Sequence, residues 1–161
     1  MKRLPFFLLS LLAVVFLTGS AGQPPITVRF FAEANQQDTE RFAAPAHLQY
    51  PTPHSAFIER IPTVSERDIV SIYPFPAADG TWGCAFKLEE SGKLHLYVLS
   101  TERKGSSLVV FVQTKLYVRQ VIDMVIDKPN DDGIISIPRG FTQPEIAMLS
   151  KQFRVMGSKK K

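Results

Sequence analysis

The stretch Asp132–Phe153, DGIISIPRGFTQPEIAMLSKQF, constrains the fold more than any other part of the chain. Ile134, Ile135 and Ile137 form a β-branched run of the kind strands favour. Pro138 is read as the end of that ladder, because proline has no N–H to donate. Gly140 supplies the freedom needed for a tight turn. Thr142 fits a helix N-cap, and Glu145 three residues later completes a capping box. Pro144 is tolerated in the first helical turn. Ile146, Leu149 and Phe153 then share one apolar helix face. A strand followed by an amphipathic helix places the helix on a sheet. Nothing reactive sits on that helix, so the stretch reads as core architecture.

Lys2 and Arg3 precede the apolar run Phe6–Leu17, and the small residues Gly19, Ser20, Ala21 and Gly22 follow it. That order is the one expected of a secretory signal peptide cleaved after Ala21 or Gly22. The run is shorter than the roughly 20 apolar residues a membrane span needs. No cysteine stands directly after it, so a lipoprotein anchor is not expected. An uncleaved N-terminal anchor is the alternative. Cleavage after Gly22 would leave 139 of the 161 residues, enough for one domain with a real core.

The formal charge of +4 arises from the two ends. The 19 Lys and Arg face 15 Asp and Glu; without Lys2 and Arg3 the balance is 17 to 15. Without Lys159, Lys160 and Lys161 as well it is 14 to 15, so the body is near neutral. No basic stripe with interleaved aromatics marks a nucleic-acid reader. Cys84 is the single cysteine, which rules out a disulfide within the chain. Trp82, Cys84, Phe86 and Leu88 share one strand face, so Cys84 is read as a small buried hydrophobe.

Ile26–Ala32 reads as the first strand. Ala34–Ser55 reads as a long polar loop with Pro45, Pro51 and Pro53, with a helical turn near Asp38–Phe42. Phe57–Ile61 can extend as a strand. Ser65 caps a short turn over Glu66–Ile69, with Asp68 in place of the usual Glu. Val70–Phe75 and Thr81–Leu88 form a hairpin around the turn residues Ala77–Gly80. A helix starts at Ser91, with Leu94, Tyr97, Val98 and Thr101 expected on its inner face, and Gly105 ends it. Leu108–Val112 is a continuous apolar run, expected of a central strand covered on both faces. Val118–Ile126 suits a helix by spacing and a strand by β-branching, and is read as extended. Asp127–Asp132 is a polar turn. The pattern as a whole is α+β.

Chemistry-bearing motifs are few. His47 and His54 lack an adjacent carboxylate and read as loop histidines, not metal ligands. A calcium loop centred on Gly133 would put Lys128 and Arg139 where acidic ligands belong, so it fails. No phosphate loop, nucleophile elbow, HExxH or CxxC occurs in the sequence. Were the chain an enzyme, His95 with Asp123 or Asp127 would be the acid–base pair to examine. No catalytic, cofactor-binding or metal-ligating residue is assigned.

From about Ile61 to Phe153 the chain resembles the head subdomain of the first large periplasmic domain of SecD and fused SecDF. Thr63–Ile69 resembles that family's T-G-x-D-I segment. Trp82–Leu88 with Ser91-Gly92 resembles its V-x-F-x-L…G strand into a helix. Gly105–Val112 resembles G-x-x-L-A-I-V-L, and Arg119–Ile122 resembles G-x-V-I. Gly133–Ile137, Gly140-Phe141-Thr142 and Glu145 resemble G-x-I-x-G-x-F-T-x-E-E-A. The departures are the longer, glycine-free Gln113–Arg119 and the absence of the family's transmembrane helices from this sequence.

The resemblance implies an α/β plait (ferredoxin-like): a mostly antiparallel sheet with two helices on one face. Together with the residue-level readings above, it divides the chain into a signal peptide (1–22), an N-terminal strand and Pro-rich loop (23–56), a SecD-head-like domain (57–156) and a Lys-rich tail (157–161). The function expected is a non-enzymatic, periplasmic or otherwise extracytoplasmic module that binds protein or peptide through an edge strand or the Ala34–Ser55 loop. The alternatives are an auxiliary factor of Sec-dependent export and an enzyme of unrecognised type. Expected partners are a polypeptide or envelope protein, the Sec translocase among them. Nucleic acid and cofactors are not expected, and membrane contact only through an uncleaved N-terminus.

Overall fold

The computed structural model describes residues 25–35, 37 and 41–157. The expected signal peptide, the tail beyond Gly157 and most of the turn at Asp38–Phe42 lie outside the described residues. The strands are β1 (Ile26–Ala32), β2 (Ala43–Leu48), β3 (His54–Glu59), β4 (Ile69–Pro76) and β5 (Trp82–Leu88). After helix α1 (Glu90–Glu102) come β6 (Ser107–Thr114), β7 (Val118–Val125) and β8 (Ile134–Phe141). Helix α2 (Gln143–Gln152) and the short β9 (Arg154–Val155) close the described chain.

The α+β expectation holds: the described residues form two α-helices and mostly antiparallel strand pairs. The strands are divided among three ladders: β1-β6-β7, β8-β5-β4-β9 and the hairpin β2-β3. Among the described residues, only the β4–β9 pair is parallel. The two larger ladders and both helices share one core. Ile26, Val28, Phe30 and Ala32 point into it from alternate positions of β1. Phe86 links the ladders, meeting Phe30 edge-on at 5.5 Å and Phe141 at 5.9 Å. A smaller cluster around Leu48, Ile58 and Val109 lies where β2-β3 covers the other side of β1 and β6. Strand β6 is therefore buried on both faces, as its unbroken apolar run requires.

Both capping boxes form. The Thr142 N–H donates to Glu145 Oε2 at 2.7 Å, and the Ser65 N–H to Asp68 Oδ2 at 2.7 Å. Val118–Val125 is a strand, as read. The helix around residues 91–104 also forms, but with a different inner face. It buries Gly92, Leu96, Leu99 and Ser100 and leaves Leu94, Tyr97 and Val98 outside. Gly92 decides this. A Cβ there would lie 2.7 Å from the Cβ of Asp68, so only the face carrying the glycine can approach that turn. Ser100 reinforces it by accepting the Asn130 N–H at 2.8 Å.

Two other readings need correction. The stretch Ala34–Ser55 is not one long loop, because Ala43–Leu48 pairs with His54–Glu59. Pro45 is compatible with that ladder because β2 has only β3 as a neighbour. Pro138 does not end β8. The register shifts opposite it, between Trp82 and Cys84, and the strand resumes to Phe141.

Candidate functional site

Helix α1 is apolar on two sides. Leu96 and Leu99 fill the core, while Leu94 (59% exposed), Val98 (42%) and Tyr97 (44%) face solvent. Beside them lies Ile61, 77% exposed. Ile61, Pro62, Leu94 and Val98 line a groove of about 420 Å³ between α1 and residues 59–63. Its polar rim is Glu59, His95, Glu102 and Arg103. Arg103 Nη1 reaches Glu59 Oε1 at 2.6 Å and the Glu33 carbonyl at 3.1 Å. These bonds pin the ends of β1 and β3 against the end of the helix.

A second apolar groove, of about 370 Å³, lies on the other side of the same segment and shares Glu59 as a wall. It runs between the hairpin and the outer face of β1 and β6. Phe31 and Phe111, edge to face at 5.7 Å, line it with Ala44 and Ile58. Val118 also lines it, as does Arg29, whose Nε is 3.3 Å from Glu66 Oε2. Thr27 lines it too, and its buried Oγ1 has no hydrogen-bond partner among the described residues.

Along the β8-β5-β4-β9 ladder, β8 and the free side of β4 beyond β9 offer little for an added strand to pair with. Ile72 accepts from the Met156 N–H, so Ile72 turns its backbone away from β5. Pro74 and Pro76 follow at two-residue spacing on that side and carry no N–H. On β8, Ile134 is closed off by loop side chains. Its N–H donates to Asp132 Oδ1 and its carbonyl accepts from Asn130 Nδ2, both at 2.8 Å. Pro138 removes a further donor.

The histidine and aspartates with acid–base potential are not brought together. His95 lies exposed on the rim of the α1 groove. Asp123 is buried, and its carboxylate accepts the N–H groups of Gln49 at 3.0 Å and Tyr50 at 2.7 Å. Asp127 lines a separate cleft beside Pro129 and Asn130. No hydrogen bond or ion pair joins His95 to either aspartate. His47 and Asp123 line one polar cleft, with Asp79 and Arg139 across it. Among the described residues, no group of three or more His, Cys, Asp or Glu is placed to hold a metal ion.

The best-formed polar cluster joins β7 to α2. Glu145 is wholly buried. It accepts from Tyr117 Oη at 2.8 Å and Arg119 Nε at 2.9 Å, and Arg119 Nη2 also donates to the Gly140 carbonyl at 2.8 Å. Burial raises the Glu145 carboxyl. Arg119, the Thr142 N–H and Tyr117 together outweigh that and hold it below the ordinary glutamate value. Every acceptor is used within the fold, so the cluster is a staple and not a reactive centre. Cys84 is fully buried and its thiol is pushed up to about 12 by burial, which leaves it inert at neutral pH.

Sequence reasoning missed the α1 groove. The signal was present as two interleaved apolar stripes on one helix, at 94/97/98 and 96/99. Among the described residues, no helix is long and apolar enough to cross a membrane. No family model matches the chain, and no curated protein matches it. Among solved structures, one described as "a membrane component SecDF that enhances protein export" is similar over 95% of this chain and 71% of that one. The TM-score is 0.52 at 11% identity, so the likeness is one of fold: this chain has a SecDF-like α+β fold.

Proposed function

We propose that this protein is an exported, non-enzymatic SecD-like module that binds extended polypeptide along residues 58–63. The observation that carries the reading is the outward apolar face of α1. A helix that already buries Leu96 and Leu99 still presents Leu94, Tyr97 and Val98 beside Ile61. Contiguous exposed apolar surface with a polar rim is characteristic of polypeptide-binding surfaces. The two grooves share Glu59 as a wall, so an extended segment could place apolar side chains on either side of it. On β4 and β8, prolines and loop side chains favour side-chain capture over strand addition. Export is supported by the order of Lys2-Arg3, Phe6–Leu17 and Gly19–Gly22.

A narrower reading is an auxiliary role in Sec-dependent export, in the periplasm, with unfolded secretory chains or the translocase as partner. The SecDF-like fold supports it.

The test uses a permanently unfolded polypeptide, reduced and carboxymethylated α-lactalbumin. Its affinity for the chain and for Leu94→Glu and Val98→Glu is measured by fluorescence anisotropy. Both residues are exposed, so stability should change by no more than about 0.5 kcal/mol. Affinity should fall about tenfold, as loss of a buried leucine-sized contact implies. No binding, or equal binding by all three proteins, overturns the reading. A photo-crosslinker at Leu94 that captures translocase subunits in intact envelopes supports the narrower role.

A further inference from the structure

The turn joining β6 to β7 carries a second exposed apolar feature, which meets the hairpin groove at Val118. Leu116 is 91% exposed and Val118 63%, with Tyr117 at 39% and Lys115 beside them. This tip is held rigidly. Thr114 Oγ1 accepts the N–H groups of Leu116 and Tyr117, each at 3.2 Å. The Thr114 N–H donates to the Tyr117 carbonyl at 2.9 Å. The Tyr117 hydroxyl is fixed on buried Glu145. Leu116 is therefore pushed outward by a closed turn, with no apolar surface among the described residues covering it.

The chain enters the fold at the same place. Ile26, the first residue of β1, pairs with Thr114, the last of β6. The apolar run Phe6–Leu17 ends nine residues before Ile26, a reach of at most about 30 Å even when fully extended. A segment with that composition partitions to membranes, and the length of the intervening chain keeps its end within that reach of the tip.

We propose that the Lys115–Val118 tip is a membrane-interface contact, dipping Leu116 and Val118 into the headgroup boundary of a lipid bilayer. Exposed apolar side chains beside a lysine have the composition of interfacial anchors. Lys115 supplies the charge that anionic phosphates attract, while Tyr117 is tied inward to Glu145 and holds the turn. While Phe6–Leu17 is attached, the two contacts reinforce one another. Once it is removed, the tip alone gives a weak and reversible attachment. The inference shares Val118 with the hairpin groove but rests on Leu116, which lines neither groove.

The test places an environment-sensitive fluorophore on Leu116→Cys in the full chain. Cys84 is buried and does not compete for the label. A control label is placed at Thr101→Cys, on exposed α1 surface. Both proteins are bound to vesicles of phosphatidylethanolamine with a minor share of phosphatidylglycerol. The label at 116 should shift to the blue and be quenched by lipid-borne nitroxide; the label at 101 should respond only to aqueous iodide. Adding Val118→Glu should reduce the lipid quenching at 116 severalfold without changing the thermal midpoint. A label at 116 that stays open to iodide on vesicles overturns the proposal. So does protection that arises only with envelope protein, which would assign the tip to a protein partner.

Discussion

Arg119 Nε lies 2.9 Å from Glu145 Oε1, joining the start of β7 to the first turn of α2 across 26 residues of sequence. Glu145 is wholly buried, while the Arg119 side chain keeps about a third of its surface in water. One carboxylate thus closes a capping box, receives a tyrosine and neutralises an arginine. Replacing it with alanine strands that arginine and removes the cap. Glu145→Ala should cost about 3 kcal/mol at neutral pH, the low end for a broken buried pair because Arg119 is partly solvated. Thermal melts check this.

The same carboxylate predicts a pH dependence. Its folded-state pKa is depressed, so its contribution is present above the unfolded value of about 4.3 and is lost as pH falls through the folded value. Glu145→Gln should therefore be less stable than the native chain at neutral pH, with the gap narrowing below about pH 4. Denaturant melts across that range read the gap. A gap that stays constant would mean the ion pair adds nothing.

Gly140 has a φ of +105°, and a Cβ there would lie 3.0 Å from Val121 Cγ1 and 3.1 Å from the Val121 carbonyl oxygen. Gly140→Val should destabilise by about 1–3 kcal/mol from backbone strain alone. The melting temperature should fall accordingly, and an unchanged midpoint would contradict the geometry.

Asp123 has a structural role by its bonding. Asp123→Ala removes the acceptor of the Gln49 and Tyr50 N–H groups, both in an exposed segment that water can reach. A loss of about 1–3 kcal/mol is expected. Amide hydrogen exchange should quicken at residues 49 and 50 first. Asp123→Asn retains an acceptor oxygen and should lose less.

Cys84 is fully buried, with its thiol raised to about 12. Alkylation of the native chain at neutral pH should be slow and should follow global opening. Adding denaturant past the unfolding midpoint should make it fast. Rapid labelling under native conditions would place Cys84 outside the core.

The parts of this protein legible in its sequence are those decided by neighbours in the chain. Ser65 with Asp68 and Thr142 with Glu145 cap their turns because each bond spans three residues. Gly140 adopts positive φ because only glycine does so without strain. The run Leu108–Val112 could only lie between two covered faces. Tertiary structure decided the rest, because choices that are equal locally differ once elements pack. Leu94-Tyr97-Val98 and Leu96-Leu99 are both apolar stripes at helical spacing. Gly92 against Asp68 selects which one is buried and leaves the other as the proposed docking face. Arg119 finds Glu145 only after β7 and α2 are placed, and Asp123 becomes an anchor only when residues 49–50 cross above it. The stretch from Asp132 to Phe153 established what kind of fold this is; the surface left exposed beside α1 was set by how that fold closes.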